Sequence, residues 1–315
     1  MRAVAVENFG AVPRLMELPN PTPAAGEVLV RLRAGGMNPF DWKIANGTLK
    51  GRPHVFPLIL GVDGAGTVES VGRGVERFRV GDRIFGSFLH DPVGTGTYAE
   101  YAPVPEHNAV ARIPDSLSDQ DAAALPTAGI TAFEALSQLG PAEGDTLLVV
   151  GASGGIGSIA VPLAHGRGVR VFAVARTASA KRLLALGASE VVDPTLPDWH
   201  ERVRALAPGG VNAALDLMND STGFGQTAAL VRPGGRAGST IGAASGGSAP
   251  PGVRALNINL EPSVVLLNQL TKEMIDRGLK VPVERTIALE EAPGVLAEIR
   301  SGRATGKTVI MFPTA

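Results

Sequence analysis

The sequence predicts an α/β protein in which a β-rich segment of barrel type is followed by a parallel sheet with helices on both faces. Residues 1 to about 115 hold short runs that alternate apolar and polar residues between glycines and prolines, as half-buried strands do. From about residue 118, helical patterns alternate with short apolar strands. Such βαβ alternation is typical of a parallel sheet.

One short helix is predicted inside the β-rich segment. Asn38 is a good N-cap residue, Pro39 suits the first helical position, and Asp41 in the first turn complements the helix dipole. Gly47 can end the helix in a left-handed conformation. The sequence therefore predicts a helix over about two turns after Asn38.

The second half of the chain shows the strand–helix alternation directly. Ser118 is a predicted helix cap, and Pro126 breaks the helical run that follows it. A helix near 262–278 closes this part, and the tail holds a helix and a terminal strand that should return to the first domain. Strands are predicted near 146–151, 169–175, 189–193, 211–216 and 235–241.

Length, composition and charge limit the possible functions. The 315 residues suffice for two compact domains, and a formal net charge of −1 gives no electrostatic basis for binding nucleic acid or an anionic membrane. There is no cysteine, which excludes disulfides, cysteine nucleophiles and thiolate metal sites. The chain starts as a strand with no signal-peptide core, so a cytoplasmic protein is expected.

A glycine-rich turn after an apolar strand predicts dinucleotide binding. The spacing Ala152-x-Gly154-x-x-Gly157 places small residues where a tight turn, a pyrophosphate and a closely packed helix require them. The following helix offers N–H groups and a positive dipole end to phosphates. Glycine turns without ligands are common, but this one lies between a strand and a helix of a βαβ series. The predicted cofactor-binding residues here are Ala152, Ser153, Gly154, Gly155, Ile156 and Gly157.

The end of the next strand predicts NADPH as the cofactor. NAD-specific sites usually carry Asp or Glu at this position, whereas this strand runs into Arg176 and Thr177 with no acid. A guanidinium, a hydroxyl and the nearby Lys181 suit a 2′-phosphate. Lys181 and Arg182 could instead be the solvated face of the following helix, and the sequence does not decide between the two interpretations.

Motifs along nearly the whole chain resemble those of the medium-chain dehydrogenase/reductase superfamily. The resemblance is closest to its zinc-free quinone oxidoreductase, or zeta-crystallin-like, branch. The matching segments are MNPFDWKIANG (37–47), PLILGVDGAGTVESVGRGVERFRVGDRIFG (57–86), GTYAEYAPVP (96–105), LPTAGITAFEAL (125–136), GASGGIG (151–157), LVRPGG (230–235) and SGRATGKTVI (301–310).

This resemblance implies two domains with an active site between them. A GroES-like catalytic domain would comprise residues 1–117 and 280–315, around a Rossmann NADP(H)-binding domain of residues 118–279. Zinc-dependent relatives carry cysteine near Asn38 and a Gly-His-Glu motif where this chain has Gly61-Val62-Asp63. The five histidines are scattered without ligand spacing, so no catalytic zinc is expected.

The resemblance also implies the residues that face the nicotinamide. Asn38 would line the site and Thr127 would approach the ring, while Thr240 and Gly242 could touch the nicotinamide amide. Asn38 could donate a hydrogen bond to a substrate carbonyl as negative charge builds there, or it could only cap its helix. Tyr98 is expected to be a packing residue. No general acid is evident, so the proton would come from solvent.

The leading hypothesis is a zinc-independent, NADPH-dependent reductase of quinones or α,β-unsaturated carbonyls. An enoyl-thioester reductase is the homologous alternative, and an NADPH-binding sensor or structural protein with little activity is an alternative of another class. The family suggests a homodimer joined through a strand around 253–260. The loop at Met218, Asn219 and Asp220 departs from the family pattern and could change access to the nicotinamide pocket.

Overall fold

A computed structural model of the chain describes residues 1–246 and 249–313. The last two residues of the predicted catalytic domain therefore lie outside the described residues. Packing divides the chain into two compact units. The first comprises residues 1–127, 262–271 and the described chain from 283 onward, and the second comprises residues 128–261 and 272–282. The predicted domain limits stay a prediction, and each unit is described by itself.

The strands, in chain order, are β1 Arg2–Val6, β2 Arg14–Glu17, β3 Glu27–Gly36, β4 His54–Ile59, β5 Asp63–Val71, β6 Arg83–Ser87, β7 Val93–Thr95, β8 Tyr101–Pro105, β9 Val110–Arg112, β10 Thr146–Val150, β11 Arg170–Val174, β12 Ala188–Val192, β13 Val211–Asp216, β14 Val231–Ser239, β15 Arg254–Asn257, β16 Val283–Ile287 and β17 Lys307–Met311. The helices are α1 Pro39–Ala45, α2 Asp119–Ala124, α3 Pro126–Leu139, α4 Gly155–Gly166, α5 Ala180–Ala185, α6 Trp199–Leu206, α7 Ser221–Ala228, α8 Val264–Asp276 and α9 Ala292–Arg300. Single turns of 3-10 helix cover Thr177–Ser179, Ala243–Ser245 and Leu289–Glu291.

The first unit is built on two sheets around one hydrophobic core. A seven-stranded sheet runs in the order β16-β17-β3-β5-β6-β9 with β8 also pairing with β3, and a four-stranded sheet runs β2-β1-β4-β7. The tail returns as predicted, because β17 pairs antiparallel with β3. Apolar residues of both sheets, such as Val30 and Leu58, fill the core together with Phe88, which follows β6. This unit is the predicted β-barrel of GroES type.

The second unit is the predicted parallel sheet. Its six strands run in the order β12-β11-β10-β13-β14-β15, all parallel, which is the doubly wound order of a dinucleotide-binding fold. Leu148, Phe172 and Phe224 lie in its core. The predicted dimer strand is β15, at one edge of this sheet, and the dimer itself stays a prediction.

The helix boundaries follow the predicted local signals. Helix α1 begins at Pro39 after an extended Asn38, and Gly47 beyond its end has a φ of +91°. Ser118 caps α2 by accepting a hydrogen bond from the backbone N–H of Asp121, and Pro126 begins α3. Residues 146–164, which carry no charged side chain, form β10 and most of α4. In residues 1–246 and 249–313, no helix is long and apolar enough to cross a membrane.

Gly36, at the end of β3, tests how closely the sheet packs on α2. A Cβ added there would lie 2.1 Å from the carbonyl oxygen of Ala123, whereas a Cβ at the exposed Gly51 would meet nothing within 4 Å. Gly36→Ala should lower the free energy of unfolding by about 1–3 kcal/mol through overpacking. Gly51→Ala should change it by less than about 0.5 kcal/mol. Urea unfolding of both variants measures this, and equal stabilities would contradict the close packing.

Candidate active site

The carboxyl edge of the six-stranded sheet brings the predicted cofactor residues together. The glycine-rich turn follows β10, Arg176 follows β11, and Thr240 and Gly242 follow β14. Because β10, β11 and β14 are parallel, the segments after them emerge at one edge of the sheet. Ligands of open α/β sheets bind at this edge, where the strand order reverses, and β10 lies at that reversal.

The glycine-rich turn has the geometry that a pyrophosphate requires. Gly151 has a φ of +82°, Gly154 is the extended N-cap residue, and α4 begins at Gly155. A Cβ at Gly157 would lie 2.6 Å from the Cα of Ala152, so only glycine allows the helix to pack this closely on the turn. The first N–H groups of a helix have no acceptor within it. These groups and the small residues of the turn fit a dinucleotide.

An acidic residue, Asp193, lies beside Thr177, one of the residues predicted to bind the 2′-phosphate. Asp193, just after β12, accepts hydrogen bonds from the backbone N–H and the hydroxyl of Thr177, at 2.7 and 2.5 Å. The hydroxyls of Thr177 and Thr195 hold the pKa of Asp193 well below its usual range. The Thr177 hydroxyl hydrogen is therefore directed at a carboxylate. Arg176 and Lys181, by contrast, are both exposed.

Arg182 reaches back from α5 to the glycine-rich turn. Its Nη2 donates a hydrogen bond to the carbonyl oxygen of Ser153 at 2.9 Å, and the residue is only partly exposed. Lys181 is exposed on α5, whereas the guanidinium of Arg182 lies beside the turn. A contact of either residue with a 2′-phosphate stays a prediction.

Asp216 holds the unusual loop after β13. Its carboxylate is 1% exposed and accepts hydrogen bonds from the backbone N–H groups of Met218 and Asn219, from the Asn219 amide and from the Thr227 hydroxyl. Met218 is 64% exposed, and its Sδ lies 3.2 Å from the place that a Cβ at Gly151 would take. The loop that departs from the family pattern is therefore ordered beside the glycine-rich turn.

The first unit contains a buried polar cluster, which we define as Asn38, Asp41, Asp63, Tyr98 and Lys307. All of these side chains are at most 3% exposed. Asn38 is the N-cap residue of α1 by position, but its amide does not cap the helix. The amide Nδ2 donates to Asp63 Oδ2 at 2.8 Å and lies 3.4 Å from the Gly36 carbonyl oxygen. The side chain of Asn38 thus belongs to the cluster and not to the cap.

Asp63 joins both residues that the resemblance placed beside the nicotinamide. Its carboxylate accepts from Asn38 and also from Thr127, whose hydroxyl lies 2.7 Å from Oδ1 and whose backbone N–H lies 3.1 Å from Oδ2. Because the Thr127 hydroxyl hydrogen points at Asp63, Thr127 Oγ1 can act toward any other group only as an acceptor. In the sequence, Asp63 stands out only as a departure from a zinc motif.

Lys307, at the start of β17, supplies the cation of the cluster. Its Nζ donates to Asn38 Oδ1 at 2.6 Å and to the Met37 carbonyl oxygen at 3.0 Å, and lies 3.6 Å from Asp63 Oδ2. Burial lowers the pKa of Lys307, and the neighbouring carboxylates oppose that shift. No local pattern marks Lys307 in the sequence, because its partners are about 270 positions away in the chain.

Asp41 links Asn38 and Tyr98 within the cluster. Its Oδ2 accepts from the Asn38 backbone N–H at 2.7 Å and from the Tyr98 hydroxyl at 2.6 Å, and its Oδ1 accepts from the Val62 N–H at 3.1 Å. Complete burial raises the pKa of Asp41 to about 7. Tyr98 packs in the core, as expected, but it is also a hydrogen-bond donor.

The cluster does not have the composition of a metal site. Among the residues that the structure describes, no three or more His, Cys, Asp or Glu side chains are grouped so that they could hold a metal ion. At the positions that resemble a zinc motif, Asn38 and Asp63 hydrogen-bond to each other and lie beside an ammonium group. A divalent cation there would be repelled by Lys307.

The fold and the glycine-rich turn define a dinucleotide-binding protein, and sequence comparison gives its family. Residues 24–115 match the profile of the alcohol dehydrogenase GroES-like domain, and residues 155–280 match that of zinc-binding dehydrogenases. A 2-methylene-furan-3-one reductase from Solanum lycopersicum is 31% identical over 98% of this chain and 79% of its own length. A chloroplast envelope quinone oxidoreductase homolog from Arabidopsis thaliana is 38% identical over 58% of this chain, and the match spans 57% of that relative.

Solved structures agree with this relationship. An NAD-dependent alcohol dehydrogenase superposes with a TM-score of 0.85 at 29% identity, covering 99% of this chain and all of that one. A mycobacterial protein complexed with NADPH superposes with a TM-score of 0.82 at 28% identity and the same coverage. The chain belongs to the medium-chain dehydrogenase/reductase superfamily, in its quinone oxidoreductase branch. It is an NAD(P)-dependent oxidoreductase.

The buried Asp41 should make stability depend on pH. Because its folded pKa is raised, the native state keeps a proton that the unfolded chain releases above about pH 4. Stability from this group is therefore present at low pH and is lost as pH rises to about 7. Between pH 5 and 7 the wild type should lose up to about 1.4 kcal/mol per pH unit relative to Asp41→Asn.

Thermal unfolding across this pH range measures the difference. Asp276→Asn is the matched control, because Asp276 forms an exposed pair with Lys272 and should leave the wild-type slope unchanged. Identical slopes for the wild type and Asp41→Asn would show that Asp41 does not titrate in this range.

Proposed function

We propose that the protein is a zinc-independent, NADPH-dependent reductase that transfers hydride to a quinone or an α,β-unsaturated carbonyl compound. The observation that carries this proposal is the hydrogen-bonded pair of Asn38 and Asp63, with Lys307 beside it. Asn38 and Asp63 lie at the positions that resemble the cysteine and the Gly-His-Glu motif of zinc-dependent relatives. A metal-free site suits reduction of an electron-poor acceptor better than oxidation of an alcohol. The named activities of the tomato and Arabidopsis relatives support the two acceptor classes.

Zinc does not fit the residues at this site. A zinc site needs thiolate, imidazole or carboxylate ligands converging on one point. Here the amide of Asn38 donates to Asp63, the carboxylate of Asp63 also accepts from Thr127, and an ammonium group lies 3.6 Å from that carboxylate. The chemistry therefore has to proceed through the cofactor and through hydrogen-bonding side chains.

NADPH fits the residues at the sheet edge. The glycine-rich turn would hold the pyrophosphate, and Arg176 and Lys181 would hold the 2′-phosphate. Arg182, beside Ser153, adds a further positive charge near the turn. Thr177 directs its hydroxyl hydrogen at Asp193, so its contribution to the phosphate site would be to position that loop. Bound NADPH supplies a hydride from the nicotinamide C4.

The side chains of the first unit would orient the reacting groups. Thr127 Oγ1 can accept a hydrogen bond from the nicotinamide carboxamide, because its own hydrogen is directed at Asp63. Asn38 could support a substrate oxygen only with the amide hydrogen that now faces the Gly36 carbonyl at 3.4 Å, a long hydrogen bond. Thr240 and Gly242, after β14, would adjoin the carboxamide. We propose solvent as the proton source.

An acceptor screen tests the proposed reaction. Purified protein should oxidise NADPH with quinones or enones, and treatment with a zinc chelator should leave the rate unchanged within about 2-fold, because no step uses a metal. Absorbance at the NADPH band measures the rate, and elemental analysis of the purified protein provides the control. Binding of NADPH without turnover of any quinone, enone or enoyl-thioester would refute the reductase proposal.

Arg176 tests the choice of cofactor. Replacing Arg176 with Ala should raise KM for NADPH about 10-fold or more, because a charge-assisted hydrogen bond to the 2′-phosphate is lost. KM for NADH should change little. Arg170→Ala is the matched control, since Arg170 lies at the opposite end of the same strand. Equal use of NADH and NADPH by the wild type would contradict the assignment, and would direct attention to Asp193 as the ribose-binding acid.

A further inference from the structure

We propose that Lys307 and Asp63 form a buried ion pair that positions Asn38 and Thr127 for hydride transfer. Lys307 is thus a positioning residue of the reaction, and Asp63 carries its effect to both side chains. This inference rests on the proposed function, because it assumes that Asn38 and Thr127 face the nicotinamide and the acceptor during hydride transfer. It rests on the contacts that Lys307 and Asp63 make with Asn38 and on those that Asp63 makes with Thr127.

The first contacts fix the orientation of the Asn38 amide. An ammonium group can only donate hydrogen bonds, and an ionised carboxylate can only accept them. Lys307 Nζ lies 2.6 Å from Asn38 Oδ1, and Asp63 Oδ2 lies 2.8 Å from Asn38 Nδ2. A flipped amide would place its NH₂ against the ammonium and its oxygen against the carboxylate. The ion pair therefore permits one orientation of Asn38.

The remaining contacts fix the hydroxyl of Thr127. Asp63 Oδ1 accepts the Thr127 hydroxyl hydrogen at 2.7 Å, and the carboxylate also accepts the backbone N–H of the same residue. The carboxylate thereby holds the start of α3 and the direction of the hydroxyl together. A protonated Asp63, or the amide of an Asp63→Asn variant, could instead donate a hydrogen bond to Thr127 Oγ1. The Thr127 hydroxyl hydrogen would then point elsewhere.

The burial of Lys307 indicates a role beyond stability. Removing an ammonium group from water is costly, and a buried ion pair is often no more stabilising than apolar residues of the same size. Lys307 is 1% exposed, and an apolar side chain at this position would suit a buried strand as well. The charges that face the ammonium are Asp63 at 3.6 Å and, more weakly, Asp41. What the ion pair adds is a single arrangement of Asn38 and Thr127.

The test compares single and paired substitutions of Lys307 and Asp63. Lys307→Met and Asp63→Asn should each lower the Tm by roughly 10 °C, because each leaves one buried charge without its partner. The double variant has neither charge, so its Tm should return to within about 3 °C of the wild type. Its kcat should nevertheless stay about 10–100-fold below the wild type, with the dissociation constant for NADPH changed less than about 3-fold.

A matched control separates this effect from a general effect of ion pairs. Arg167 and Glu273 form a bidentate, partly buried pair in the second unit. The double variant Arg167→Met/Glu273→Gln should keep the wild-type kcat. If the Lys307/Asp63 double variant also kept the wild-type kcat once its Tm had recovered, the pair would be only structural and the inference would be wrong.

A double-mutant cycle with Asn38 identifies the path of the effect. If Lys307 acts through the Asn38 amide, Asn38→Ala should lower kcat strongly in the wild type and less than about 3-fold in the Lys307→Met background. Fully multiplicative losses would show that the two residues act independently and would overturn the positioning role.

Spectroscopy of the lysine side chains gives a readout that does not need turnover. The chain has six lysines, and in ¹⁵N-lysine-labelled protein only a buried, hydrogen-bonded ammonium should show slowly exchanging side-chain protons. That signal should disappear in Lys307→Met and should exchange faster in Asp63→Asn. Its absence from the wild type would refute the ion pair, whereas an inactive wild type that shows the signal would refute only the proposed function.

Discussion

The candidate site depends on the hydrogen bonds that the buried carboxylate of Asp63 accepts. This carboxylate accepts hydrogen bonds from Asn38 after β3 and from Thr127 at the start of α3, and it lies beside Lys307 of β17. These segments are far apart in the chain, and a buried carboxylate is tolerated only when such donors surround it. Loss of Lys307 or Asp63 alone would leave the other charge buried without its partner. The polar cluster is therefore a mutually dependent unit within an apolar core.

The two units contribute different kinds of chemistry. The second unit provides a recognition edge made largely of backbone, in which Gly151 and Gly157 allow the chain to turn and pack tightly where phosphates would bind. The first unit provides side chains whose hydrogen-bonding directions are set by buried charges. The backbone of the glycine-rich turn and the charges of the buried polar cluster lie in separate units, so a substitution in one need not disturb the other.

Much of the fold could be predicted because its signals are local. The strand–turn–helix at Thr146 to Gly166, the Pro39 helix start and the Ser118 cap each depend on residues within a few positions of one another. The strand predictions at 146–151, 169–175 and 211–216 lie within one residue of the observed bounds. The start of β14 was missed by four residues, because Pro233 and Gly234 inside it indicate a loop, and the ladder with β13 shifts register there.

By itself, the sequence determined the order of the elements, the dinucleotide motif and the absence of cysteine, since these are properties of neighbouring residues or of composition. Only the tertiary structure decided what surrounds Asn38, because its contacts with Asp63 and Lys307 join positions 25 and about 270 residues apart. In the tertiary structure the Asn38 amide also bonds to Asp63 and Lys307 and not to its helix, since a buried ammonium and carboxylate attract the amide more strongly than a backbone N–H does. Long-range electrostatics of this kind leaves no periodic signal in a chain.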